Sequence, residues 1–340
     1  VSALPPAEQA VSASFAAVPA PRRRAWEVYG EAVAAAREIY RVCETEQHAA
    51  ALFWPENVVR KILICLREGN SEILALVNRS VPDHFIFGHV PNITILSLRL
   101  GMAMGLEDED SVTLGLAAFL SELGLSPHLE LASKATTLTD DEYRLLRTHV
   151  EEGMKMLDLF PLPESQIKVT LKRVIGQCHE RVSGKGYPAG LTDEAIHLFA
   201  KIIGMADAYE AMTHPRPWRA RTLPHLVLRN MVEENSGEFD PIQIRCFVEC
   251  LSFYPPGTFV RLNTGEIARV ISPTPDLPLR PRVWVFMNES GHRLETARTL
   301  TLAACPTVFI SDAVDETAIK TDDRRLALEL RAQCWWVKGL

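Results

Sequence analysis

No run of about 18 consecutive apolar residues occurs in this chain, so the sequence predicts no transmembrane span. The N-terminus has no apolar core of the kind that marks a signal peptide. Basic residues are not in excess: 36 Lys and Arg stand against 43 Asp and Glu, a net charge of -7. That balance argues against nucleic acid or an anionic membrane as partner. The seven cysteines form no CxxC pair, and an odd, scattered set reads as reduced thiols in a cytoplasmic protein. No internal repeat is visible. What is present, 340 residues with 47% hydrophobic and 23% charged, is ordinary for a globular protein of one to three domains. The chain begins at Val1 rather than Met, which reads as a fragment with an upstream segment missing.

Taken in order, residues 1–22 are rich in Ala, Pro and Ser without helical periodicity and read as a flexible linker. Residues 23–80 read as an N-terminal helical segment. Its apolar positions include Trp26, Val33, Ile39, Val42, Val58, Ile62, Leu66 and Leu74, with breaks near Trp54-Pro55 and Gly69-Asn70. That segment serves either packing and dimerisation or ligand sensing. Asp83 opens the next helix, where Phe85, His89, Ile93, Leu96 and Leu100 share one face, so His89 points into the core. Pro91 fits the first turn or a kink. Ser111 is expected to cap a helix that is apolar nearly all round and ends at Ser121-Glu122. A carboxylate there is costly unless it is paired or metal-bound. Thr139 and Glu142 have capping-box spacing, and the helix they start carries Tyr143, Leu146, Val150, Met154 and Leu157, with His149 beside that stripe. Asp193 is expected to start a long helix whose inward face includes Ile196, Phe199, Ile203, Asp207 and Met212. After Pro255-Pro256-Gly257, Phe259–Leu262 and Ile267–Ile271 flank a hairpin turn, and Val283–Phe286 gives a third strand. Residues 256–300 are thus a small β appendage. Residues 301–340 read as a tail with a short apolar run, an amphipathic helix near Arg324 to Cys334, and Trp335-Trp336 for docking.

The stretch Cys178-His179-Glu180-Arg181-Val182-Ser183-Gly184-Lys185-Gly186-Tyr187-Pro188 organises the rest. It joins a metal-binding pair, Cys178-His179, to a loop in which Gly184 and Gly186 permit close approach and Pro188 fixes the direction. The string resembles the signature of the HD-GYP family, bacterial phosphodiesterases that hydrolyse cyclic di-GMP. There it reads roughly His-His-Glu, three residues, Gly-x-Gly-Tyr-Pro. The resemblance covers about residues 81–270. Ala206-Asp207 through Thr213 resembles the family's Ala-Asp-x-x-Asp-Ala-x-Thr, and Arg216-Pro217-Trp218-Arg219 resembles Arg-Pro-Tyr-Arg.

By position, the resemblance makes His89, Glu122, His149, Cys178, His179 and Asp207 the candidate metal ligands. Glu122 and Asp207 are the catalytic candidates, and Arg181, Lys185, Gly186, Tyr187, Pro188, Arg216 and Arg219 would face the ligand. Four positions depart from the family. Ser121 and Cys178 replace His, Glu122 replaces Asp, and Leu125 replaces a phosphate-facing Lys; the optional third-metal Glu falls at Phe85. A Cys178 thiolate would favour zinc over iron or manganese. The implied fold (residues 81–255) is mainly α, an HD-superfamily helical bundle followed by the β appendage. The expected cofactor is none, or sub-stoichiometric Fe, Mn or Zn. Three functions follow: a catalytically impaired, cyclic di-GMP-responsive binding module; a metal-dependent phosphodiesterase with an altered ligand set; or an adaptor. A protein partner is expected, and in this family a diguanylate cyclase is one kind.

Overall fold

The computed structural model describes residues 20–44, 55–78, 84–160, 166–216, 218–234 and 237–319, with 321, 323, 327 and 330 beyond them. The proposed linker (except residues 20–22), Trp54, Asp83, Pro217, most of the 324–334 stretch and Trp335-Trp336 lie outside the described residues. Helix α1 (Ala20–Glu44) leads to α2 (Glu56–Arg67) and α3 (Ser71–Leu76). The break between α2 and α3 falls where it was expected. Gly69 takes a positive φ of 69°, and the Asn70 side chain accepts from the Glu72 N–H to start α3. Helices α4 (Phe85–Ala103) and α5 (Asp108–Leu120) are buried on nearly every side and form the centre of the molecule. Pro91 sits inside the second turn of α4 rather than in its first.

Residues 108–132 are long and apolar enough to cross a bilayer by length and composition, yet 78% of their most apolar window is buried inside the protein. Ser111 does not cap α5. The acidic run Asp108, Glu109 and Asp110 occupies the first turn, where carboxylates suit the helix dipole. That puts Ser111 inside the helix, with its Oγ donating to the Leu106 carbonyl at 3.4 Å.

Beyond α5, a 3-10 segment (Leu123–His128) and α6 (Leu129–Ala132) precede α7 (Asp140–Arg147) and α8 (His149–Met156). The Thr139–Glu142 capping box forms as expected. The single helix expected from there to Leu157 is instead two. Thr148 turns its hydroxyl onto the Leu145 carbonyl at 2.7 Å, a local bond that competes with the helix ladder. Helix α9 (Gln166–Ile175) then leads into the signature loop. The long helix α10 starts at Leu198, not Asp193, and runs to Thr213. Asp193–Ala195 is only a 3-10 turn; the cap is His197, whose Nδ1 accepts from the Phe199 N–H at 3.1 Å. Helices α11 (Pro224–Glu233) and α12 (Pro241–Leu251) complete the helical part.

Strands β1 (Phe259–Leu262), β2 (Ile267–Ser272), β3 (Arg282–Met287), β4 (Arg293–Thr301) and β5 (Ile310–Val314) form one antiparallel sheet in the order β4-β3-β2-β1-β5. The hairpin at Gly265 and the third strand are as expected. The sheet continues past residue 300, however, because β5 returns to pair with β1. Val260, Leu262, Ala268, Val270, Val283 and Val285 form its inner cluster. Arg221 ties the helical part to the turn that follows β5 by ion pairs to Asp315 and Glu316.

One close approach fixes the site. A Cβ at Gly124 would lie 1.9 Å from the His149 carbonyl oxygen and 2.5 Å from the Gly153 nitrogen. The turn after α5 therefore lies backbone to backbone on α8, which sets Glu122 beside His149. Gly124→Ala is expected to destabilise the fold by about 3 kcal/mol or more, at or above the upper end for overpacking. Urea unfolding checks this, and a loss under 1 kcal/mol would mean that the contact yields freely.

Candidate metal centre

Glu122 follows the end of α5 and is 4% exposed. The Tyr40 hydroxyl, from α1, donates to its backbone carbonyl at 2.6 Å. Its carboxylate lies in two clusters: Glu122, His149 and His179 form one, and His89, Glu122 and Asp207 form the other. Within each, one donor atom per residue lies within 4.8 Å of the others. Glu122 Oε1 is 3.5 Å from His179 Nε2, and Oε2 is 3.9 Å from His149 Nε2. His89 Nε2 is 3.3 Å from Asp207 Oδ1, and His179 Nδ1 is 3.7 Å from Asp207 Oδ2.

Each ring is held from behind. His149 Nδ1–H donates to the Leu146 carbonyl at 2.6 Å, which leaves Nε2 as its inward donor atom. The two Nε2 atoms of His149 and His179 are 2.9 Å apart. Burial holds the His149 pKa down. For His179 burial acts in the same sense, but Cys178, Tyr187 and Glu122 beside it outweigh burial and push the pKa well up. The shared proton thus belongs to His179. Burial opposes ionisation of Glu122 as well, yet His179 and His149 bring its pKa down to about 2, so the carboxylate is charged.

The signature loop forms the third wall. Gly186 lies so close to the chain that a Cβ would be 2.4 Å from the Arg181 nitrogen. Buried Glu180 accepts from the N–H groups of Ala189, Gly190 and Leu191 at 2.7, 3.1 and 2.9 Å, fixing the outgoing strand of the loop. Tyr187 stacks on His179 with centroids 4.9 Å apart and planes at 5°.

Several expected site residues stand elsewhere. Ser121 donates to the Ala118 carbonyl at 3.0 Å. Cys178 Sγ donates to the Ile175 carbonyl at 3.2 Å and belongs to neither cluster, which corrects the expectation of a thiolate ligand and removes its argument for zinc. Arg181 donates through Nη1 to the carbonyls of Cys178 and Glu180 and lies over Phe239. Arg216 pairs with Glu210 at 2.9 Å and lies over Phe85, and Arg219 donates to the Ala211 carbonyl. Lys185 and Pro188 are exposed on the loop.

Glu210 is the residue that sequence reasoning missed. It is 1% exposed and gathers His89, Asn92, His214 and Arg216. The Tyr29 hydroxyl donates to Asn92 at 3.0 Å, so α1 supports this cluster too. The available signal was the second acid of the Asp-x-x-Asp pattern, which is Glu here. Burial disfavours a charged His89, but Glu210 and Asp207 outweigh it and raise its pKa to about 10. That folded pKa lies above the ordinary value, so the protonated ring stabilises metal-stripped protein fully below about pH 6.5, and the contribution disappears as pH rises through about 10. Urea titrations of stripped protein are expected to show stability falling from pH 7 to pH 10, with His89→Gln flattening the slope.

The donor chemistry suits divalent transition ions. Two imidazoles with one carboxylate, and one imidazole with two carboxylates, are nitrogen and oxygen sets of the kind that hold Fe, Mn or Zn with open positions. A model of the HD domain matches residues 71–242, and a model of the KOW domain associated with HD domains matches 259–322. The chain belongs to the HD-GYP family of HD-domain proteins. It is 34% identical over 226 residues to the cyclic di-GMP phosphodiesterase PA4108 of Pseudomonas aeruginosa, covering 66% of this chain and 53% of that protein. It is 27% identical over 194 residues to the cyclic di-GMP phosphodiesterase PdeB of Borreliella burgdorferi, covering 56% and 50%. The chain thus spans about half the length of each. Bd1817 of Bdellovibrio bacteriovorus, a HDG"Y"P protein, shares the fold at a TM-score of 0.54 and 18% identity, over 71% of this chain and 76% of that one. In this HD-GYP chain the Phe85 ring lies under the Arg216 guanidinium, 4.4 Å from its carbon.

Proposed function

We propose that this HD-GYP chain is a metal-dependent phosphodiesterase acting on a cyclic dinucleotide, with cyclic di-GMP, the substrate in the names of both relatives, as the first choice. The observation that carries the reading is the Glu122 carboxylate, one group that belongs to both ligand clusters. Its extra methylene relative to Asp lets a side chain from the end of α5 reach His149 and His179 on one side and His89 and Asp207 on the other. When bound, two divalent ions would supply the positive charge that draws a phosphodiester in and favours attack by water. The chain's own residues hold the geometry. Leu146 orients His149, Glu210 orients His89, and Tyr187 lies flat against His179. The proton shared by His149 and His179 must leave before ligation, so loading releases protons.

Elemental analysis and chromatography of cyclic di-GMP incubations test this. About two ions per chain and a linear dinucleotide product are expected; less than one ion and no product after loading with Mn, Fe or Zn would refute it. One set of observations favours a second reading, a binding module without turnover. Ser121 is turned away, Leu125 offers no charge, and Arg216 is paired internally. That reading predicts cyclic di-GMP binding tighter than ~100 µM with no product.

A further inference from the structure

The arginines that the sequence points to for holding phosphate are committed elsewhere: Arg216 to Glu210, Arg219 to the Ala211 carbonyl, and Arg181 to the carbonyls of Cys178 and Glu180. Leu125 supplies no charge. A ligand with two phosphodiester groups would then meet the cluster residues with one of them and need a cation for the other. Arg147 meets that need. It ends α7, beside the site, and its guanidinium carbon lies 4.7 Å from the Tyr143 ring and 4.6 Å from the Tyr187 ring. Tyr187 in turn stacks on His179, so Arg147 is one ring away from a candidate ligand.

The arrangement is built rather than incidental. Tyr143 sits one helical turn before Arg147 on α7, and Tyr187 arrives from the signature loop, whose position Glu180 and Gly186 fix. Arg147 Nε is buried and has no hydrogen-bond partner, and among the described residues no carboxylate pairs with this guanidinium. A planar fork held against aromatic rings keeps its orientation and offers two N–H edges to a phosphate. A guanidinium kept for stability alone would be expected to take one of the acids on its own helix; Asp141 pairs with Arg144 and Glu142 with Lys134 instead.

We propose that Arg147 is the phosphate-anchoring residue beside the two ligand clusters, holding the phosphodiester group of a cyclic dinucleotide that does not lie at them. This rests on the reading that the chain binds such a ligand, whether or not it turns it over. The test is titration calorimetry of the metal-loaded protein with a phosphorothioate analogue of cyclic di-GMP, which resists hydrolysis, alongside metal content and melting temperature. R147A is expected to weaken binding about ten- to a hundred-fold, the range for a hydrogen bond to a charged group, with metal content unchanged. Tyr143→Leu, which removes one ring and leaves the charge, is expected to weaken it about two- to five-fold. R147K is expected to fall between wild type and R147A, because the charge stays but the fork is lost. R147A binding within twofold of wild type overturns the proposal and leaves the functional reading standing. Loss of metal from R147A also overturns it, by making the side chain a prop for Tyr187 and His179. Wild-type protein with no affinity for the analogue overturns both.

Discussion

Glu122→Gln is expected to lower bound metal from about two ions per chain to less than about half an ion, and to cut cyclic di-GMP hydrolysis by more than roughly 100-fold. The reason is the double role of one carboxylate. Outer partners of metal ligands alone cost 10–100-fold when removed, and Glu122 is an inner candidate for two clusters at once. Gln keeps the size and one oxygen but loses the charge that protonated His179 now balances. Glu122→Asp restores the family's residue and keeps the charge, so it is expected to retain metal. If Glu122→Gln keeps two ions by elemental analysis, the shared-carboxylate account fails.

The second large effect is on stability. Glu210→Ala is expected to destabilise the protein by about 3–5 kcal/mol, the cost of leaving a buried charge without its partner. Glu210 is buried, and Arg216 and His89 both depend on it. Arg216 would remain in place over Phe85 with no counter-charge, and His89 would lose the group that orients it. With an unfolding entropy of about 2.1 cal/mol/K per residue, each kcal/mol moves the melting temperature of a 340-residue chain by about 1.4 °C, so it should fall by roughly 4–7 °C. The double variant Glu210→Ala with Arg216→Met removes both members of the buried pair and is expected to recover part of the loss. A single variant that melts within about 2 °C of wild type would show that the cluster contributes little.

The helical bundle and several residues of the two clusters were legible because they follow period. His89 falls on the apolar face of α4 and Asp207 on that of α10, and the signature loop shows its glycines openly. Ser111 and Asp193 misled for a related reason. Each is a good capping residue, but the acidic run before Ser111 and the cap at His197 took the helix starts instead. What stayed hidden depends on long-range contacts. Glu210 matters because Asn92 and His89 arrive from another helix and Arg216 from the turn after α10. Arg147 matters because Tyr187, forty residues on, closes over it. The reach of Glu122 into both clusters was hidden as well. Substitution by position suggested a centre stripped of donors, with Ser121 and Cys178 as its damaged members. In space those two side chains bond to carbonyls in the preceding turns, and the remaining residues still supply three donors to each cluster. The strand β5 escaped notice because its pairing with β1 spans fifty residues and its apolar run is short.

The central claim is that one carboxylate serves two ions. Crystals of protein loaded with Mn, Fe or Zn, measured at the metal's absorption edge, test it most directly. The account predicts two anomalous peaks roughly 3.5–4 Å apart, the spacing of paired catalytic ions, with Glu122 between them, His149 and His179 on one, and His89 and Asp207 on the other. A single peak, or two peaks with Glu122 touching only one, would contradict it.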